Sequence, residues 1–220
     1  MEFREWEPVY LRICEDFGFD PASDESSVRL LEAVTPNLDL DDEDSILPLV
    51  KPSATVFGAS EGLLKDIEAH PPEGTLIAAG SACRAVMDAG IIPDILVTDL
   101  DGDIDSQIEA SSKGTVTLIL AHGDNSDLVA RYAPMFRGKV VLTTQGRPHG
   151  NVLCFGGFTD GDRAVCLARH FGIGRIVLLG FDFEKPSLKD GSDPVIKARK
   201  LRWAKEIIDP SSPDIEWPNH

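Results

Sequence analysis

The chain has 220 residues, 42% of them apolar, and a formal net charge of −16. That length suits one domain with at most a small appendage, and the apolar share is enough for a substantial core. The acidity argues against nucleic acid as a partner, since counterion release needs a basic face, and a polyphosphate ligand would need a cation and local basic residues to meet it.

Met1 to Pro8 is charged and lacks an apolar centre, so no signal peptide is expected there. Phe3, Trp6, Tyr10, Ile13 and Phe17 recur every three or four residues, the spacing of an amphipathic helix. A turn over Gly18 to Pro21 leads into a second helical stretch with Val28, Leu31 and Val34 inward. Asp39 to Asp44 reads as an acidic, exposed connection. Residues 1–50 are therefore expected to form an N-terminal helical appendage, packed on an α/β catalytic domain over residues 51–220.

From Ala54 onward the texture is strand, small-residue loop, helix. Thr55 to Phe57, Leu76 to Ala79, Ile95 to Thr98, Val116 to Leu120, Val140 to Thr143 and Ile176 to Leu179 are short apolar runs. Helical patterns near Leu63 to Ile67, Ala82 to Ala89, Asp127 to Ala133 and Asp162 to Phe171 lie between them. This alternation predicts a Rossmann-like α/β fold, a mostly parallel sheet flanked by helices. Ligands of such sheets bind at the carboxyl ends of the strands. No run reaches the 18 or so apolar residues of a membrane helix. Cys14, Cys83, Cys154 and Cys166 have no Cys-x-x-Cys spacing, which suits reduced thiols and a cytoplasmic setting.

The unusual residues collect at the strand ends. Gly58-Ala59-Ser60-Glu61-Gly62 could let phosphate oxygens approach backbone N–H groups, though a plain strand-helix turn explains it equally well. Ala78 to Ala82 is a similar turn. Pro93 to Asp103 carries the sharpest signal: Asp99, Asp101 and Asp103 follow the Ile95 to Val97 run at a spacing of two and, in an extended backbone, project to one side. Each like-charged pair costs about 4 kcal/mol at ~4 Å and an effective dielectric of about 20, and a hard cation such as Mg²⁺ is the usual remedy. Helix capping is the plainer explanation for any one of them. A calcium loop is excluded, because its glycine position is Ile104 and its glutamate position Ala110.

Ala121-His122-Gly123-Asp124-Asn125 places an imidazole, a carboxylate and an amide on one tight loop, with capping by Asn125 or Ser126 as the plainer alternative. Phe155 to Arg163 holds a Gly-Gly pair, two aromatics and two carboxylates just before a helix. Capping by Thr159 or Asp160 would need neither the glycines nor Arg163, whose guanidinium could fork onto phosphate. Asp182 again stands at a strand end. Lys197 to Lys205 is the chain's one basic stretch, and its lysines, Lys200 among them, are natural holders of a polyphosphate.

Together, Pro93 to Asp103, Ala121 to Asn125, Phe155 to Ala164 and Leu179 to Phe183 resemble the archaeal 6-hydroxymethyl-7,8-dihydropterin diphosphokinases, relatives of the thiamin pyrophosphokinase fold. The resemblance spans about residues 50–205. It implies transfer of pyrophosphate from ATP to the hydroxymethyl oxygen of a reduced pterin, with Mg²⁺ as cofactor and AMP as the second product. It makes Asp99 and Asp101 metal ligands and puts Gly58, Ser60, Gly62, His122, Gly123 and Asn125 against nucleotide or phosphate. Thr159, Asp160 and Asp162 would line the transfer site. Asp124, Asp160, Asp162 and Asp182 are the candidates for a base. Phe155 or Phe158 could stack on the pterin ring. One departure stands out: Ala79-Gly80-Ser81-Ala82 replaces an expected Ala-Asp-Gly-Ala, so a carboxylate is missing. Thiamin as acceptor on the same fold, and a non-catalytic nucleotide-binding protein, are the alternatives. A homodimer is compatible with the fold, and neither membrane nor nucleic acid is expected as a partner.

Overall fold

The computed structural model describes residues 2–185 and 193–218. The amphipathic N-terminus forms α1 (Phe3–Phe17), closed by a capping box between Glu2 and Glu5 and ended by Gly18 in the left-handed conformation. Asp20 caps α2 (Pro21–Val34), with proline at the first helical position.

The strands are β1 (Asp39–Asp41), β2 (Ser53–Phe57), β3 (Thr75–Ala79), β4 (Ile95–Thr98), β5 (Val116–Ala121), β6 (Lys139–Thr144), β7 (Val152–Leu153), β8 (Arg175–Leu179) and β9 (Ile215–Glu216). They form one sheet in the order β1-β6-β5-β4-β3-β2-β8-β9, with β7 also on β6, and every pairing is parallel. Asp39 to Asp41 is thus no free connection. It pairs with Lys139 to Val141, and Asp41 accepts a 2.6 Å bond from Lys139. Charged residues on an edge strand also discourage further strand addition.

Helices α3 (Leu63–Ala69), α4 (Cys83–Asp88), α5 (Ile104–Ser112) and α6 (Ser126–Tyr132) cross over one face, while α7 (Asp160–His170) and α8 (Pro194–Ile208) cover the other. Strand side chains divide by alternation: Leu96 packs with the α3–α6 layer, its neighbours Ile95 and Val97 with the α7–α8 layer. Helix α2 packs on α6 and β6. Helix α1 rests on Phe158 and on Trp203 and Ile207 of α8. The N-terminal helices therefore sit beside the carboxyl ends of β5 and β6. Cys14, Cys83, Cys154 and Cys166 are all free. Among the described residues, no helix is long and apolar enough to cross a membrane.

Candidate active site

Parallel pairing puts the loops after β2, β3, β4, β5 and β8 on one edge of the sheet, where they ring a cavity of about 450 Å³ with the start of α7. Its centre is the turn after β4. Leu100, fully buried, lies between Asp99 and Asp101 at a φ of 68°, in the left-handed region where a branched side chain is strained by about 1–2 kcal/mol. Its N–H donates to Thr98 Oγ1 at 2.8 Å, and Thr98 Oγ1 donates to Gln107 Oε1 at 2.7 Å. Gln107 Nε2 in turn donates to the carbonyls of Asp101 (2.6 Å) and Gly80 (3.3 Å). This buried network holds the tight turn in place.

The turn changes which carboxylates meet. Asp103 does not join its two neighbours, because the chain is not extended here. Asp103 caps α5 through Ser106 N–H at 2.8 Å and pairs with Arg84 at 3.2 Å. Its place is taken by Asp160 from the first turn of α7. Ligand oxygens of Asp99, Asp101 and Asp160 all lie within 4.8 Å of one another. Burial raises the Asp99 pKa, but His122, the Asp101 N–H and Arg163 outweigh it and bring the group down to about 2. Asp160 is pushed the other way, well above the usual carboxylate range, by burial and then by the charges of Asp99 and Asp101. Arg163 offsets only part of that. Hard oxygen donors with unbalanced negative charge are the set that Mg²⁺ takes.

The departure at the turn after β3 has a steric reason. A Cβ on Gly80 would stand 2.6 Å from Thr98 Oγ1 and 3.0 Å from Asp160 Oδ2, so no carboxylate fits there. Instead, Gly80 N–H donates to Asp160 at 3.3 Å and Ser81 Oγ donates to Asp101 at 3.0 Å.

Asp162 and Arg163 lie behind the cavity, not on it. Asp162 is fully buried and serves the capping box of α7, accepting from Thr159 N–H (3.0 Å), Thr159 Oγ1 (2.6 Å) and Phe158 N–H. Arg163 is buried, donating to Thr143 Oγ1 at 2.8 Å and meeting Asp160 at 3.4 Å, so its fork holds a carboxylate in place of a phosphate. The Gly-Gly pair also has its reason: Gly157, at a φ of 90°, passes so close to Arg163 that a Cβ would come within 2.5 Å of its Cα.

On the loop after β5, Asn125 is a clamp and not a cavity residue. It is buried, its Nδ2 donates to the carbonyls of Asp99 (2.9 Å) and Leu120 (2.8 Å), and its Oδ1 accepts from His122 N–H at 2.9 Å. Asp124 N–H donates to His122 Nδ1 at 3.3 Å, which leaves Nε2 as the N–H facing Asp99 Oδ2 at 3.7 Å. His122, Gly123 and Asp124 line the cavity, as do Gly58, Ser60, Thr159 and Asp182, whereas Gly62 lies outside it at the cap of α3. Lys197 and Lys200 face the cavity from α8, Lys200 with its ammonium 5.5 Å from the Phe158 ring centre. Arg199 and Trp203 instead tie α8 to Asp16 of α1 at 2.9 Å each. Phe155 packs edge-on against His170 on the far side, leaving Phe158 as the cavity aromatic of that motif.

Residues that the sequence reading passed over also line the cavity: Phe19 and Asp20 in the turn between α1 and α2, Asp24 in α2, Gln145 after β6, and Phe181 after β8. Asp24 had a sequence signal. It stands four residues before Val28 and seven before Leu31, a carboxylate on the inward stripe of an amphipathic helix.

The family model described as 6-hydroxymethylpterin diphosphokinase MptE-like matches residues 30–187. A 6-hydroxymethyl-7,8-dihydropterin pyrophosphokinase of Methanothermobacter thermautotrophicus is 40% identical, over 95% of this chain and 94% of its own. Proteins of the same description from Methanocaldococcus jannaschii and Pyrococcus furiosus are 34% and 37% identical, over 94% and 95% of this chain and 95% and 94% of their own.

Proposed function

Because this chain belongs to the MptE-like 6-hydroxymethylpterin diphosphokinases, we propose that it transfers a diphosphoryl group from ATP to the hydroxymethyl oxygen of 6-hydroxymethyl-7,8-dihydropterin, releasing AMP. The observation that carries this reading is the convergence of Asp99, Asp101 and Asp160 at the strand ends, in a cavity that Lys197 and Lys200 also line. Transfer of phosphoryl-type groups asks a protein chiefly for positioning and charge neutralisation.

Asp99 and Asp101 would hold Mg²⁺, with Asp160 completing the oxygen set. The ion, when bound, draws charge from the transferring phosphates and orients them. The lysines of α8 would neutralise the polyphosphate, and the Ser60 hydroxyl on the cavity wall offers it a donor. The N–H groups of Gly58, Ser60 and Thr159 are already bonded to Leu179, Gly180 and Asp162. His122 keeps Asp99 ionised and aimed at the cluster. Arg163, itself anchored on Thr143, braces Asp160 directly. Of the candidate bases, Asp124 and Asp182 line the cavity outside the cluster and would receive the hydroxymethyl proton, and Phe158 offers an aromatic face to a flat ring.

The test is AMP formation from ATP and Mg²⁺ with the reduced pterin and with thiamin in parallel. AMP and pterin diphosphate with the pterin alone is the expected result. AMP with thiamin alone would overturn the acceptor, and nucleotide binding with no AMP from either would favour a non-catalytic binding protein.

A further inference from the structure

We propose that Asp24, on the N-terminal helix α2, is a positioning residue for the active site: it fixes the loop after β5 so that His122 stays against Asp99. This rests on the reading of the cavity given above. Asp24 is 5% exposed, and each of its contacts is a donor from a different element. Gly123 N–H donates to Oδ1 at 2.7 Å, while Tyr10 Oη (2.7 Å) and Gln145 Nε2 (2.9 Å) donate to Oδ2. One carboxylate thus joins α1, the end of β6 and the loop that carries His122. A second stitch lies beside it, where the hydroxyls of Ser27 and Ser126 meet at 2.6 Å.

Packing alone does not call for a carboxylate here. Val28 and Leu31 fill the same inward stripe with apolar side chains, and burying a charge among neutral donors costs desolvation that an apolar residue would avoid. What the charge supplies is direction: a charge-assisted bond to one backbone N–H is shorter and stronger than a neutral one. That N–H belongs to the residue after His122. The loop is also pressed onto α2 sterically, since a Cβ on Gly123 would lie 2.8 Å from Ser23 Cβ. The N-terminal helices are therefore part of the catalytic unit, and they act through the loop after β5.

The experiment is a double-mutant cycle of Asp24→Asn with His122→Ala, read as kcat/KM for AMP formation, with thermal melting alongside. Asparagine keeps the volume but leaves one acceptor oxygen for three donors. Asp24→Asn is expected to lose about 10- to 100-fold in a protein that still melts cooperatively, as removal of outer-shell partners commonly does. In the His122→Ala background the same change is expected to cost little more, because the group it acts through is gone. Fully additive losses in an active protein would overturn the positioning role alone. An inactive wild type would overturn the functional reading, and this inference with it. If Asp24→Asn does not fold, Gly123→Ala reads the same contact from the loop side. It should lose activity, and Ser23→Gly in the same chain should restore it by removing the clashing Cβ. No loss, or a loss without rescue, would overturn the proposal.

Discussion

Asp101→Asn should lose at least about a thousandfold in turnover while melting cooperatively and, without metal, no lower than the wild type. The substitution is nearly isosteric, and the carboxamide oxygen can keep the 3.0 Å bond from Ser81 Oγ. The Asp101 carbonyl, which Gln107 holds at 2.6 Å, is untouched. The turn after β4 therefore keeps its shape, and only the charge is lost. Metal ions supply several kcal/mol of transition-state stabilisation, and a loss of about 4 kcal/mol is a factor of about a thousand in rate. Turnover at saturating Mg²⁺, with melting curves beside it, reads both halves. Near wild-type turnover would remove Asp101 from the ligand set.

Asp160→Asn should also abolish activity, yet make the metal-free protein more stable. Burial and the neighbouring Asp99 and Asp101 charges raise the Asp160 pKa well above its unfolded value of about 3.9. The native state then binds a proton that the unfolded chain has already released. Stability falls as pH rises from about 4 through the raised native value, because the native state binds more protons over that range. Asparagine removes the charge and with it that loss, while its oxygen can still accept from Gly80 N–H or Arg163. The variant should melt above the wild type at neutral pH without metal, and the gap should close toward pH 4. Adding Mg²⁺ should raise the melting temperature of the wild type and move the variant less. A variant that melts lower at neutral pH, or gains as much from Mg²⁺, would contradict the placement of Asp160 in the cluster.

Much of this was legible in the sequence because the signals are local. Apolar runs of three to five residues mark the six long strands of the sheet. Helical patterns between them mark four of the crossing helices, while α5 after β4 gave no such pattern. The short edge strand β1 was not legible, since Asp39-Leu40-Asp41 has no apolar run and owes its conformation to pairing with Lys139 to Val141. Asp99 and Asp101 stood out by spacing, although not for the reason the spacing suggested. An extended strand would have brought Asp103 with them, and the left-handed Leu100 turns the chain so that Asp103 caps α5 instead. Asp160 completes the cluster from a distant segment, which only the crossing of α7 behind β2, β3 and β4 could reveal. The Phe155 to Arg163 motif was rightly seen as unusual, but half of it is scaffold: Asp162 closes the capping box and Arg163 braces Asp160. Asp24 was missed because the N-terminal helices read as an appendage, while tertiary packing makes them a wall of the cavity.

The most direct test of the carboxylate cluster as the metal and transfer centre is AMP formation from ATP and 6-hydroxymethyl-7,8-dihydropterin, titrated with Mg²⁺ from an EDTA-treated start. No AMP without metal, and full recovery on adding Mg²⁺ in the wild type but not in Asp101→Asn, is the expected result. AMP formation that persists in EDTA, or that Mg²⁺ restores equally in Asp101→Asn, would contradict it.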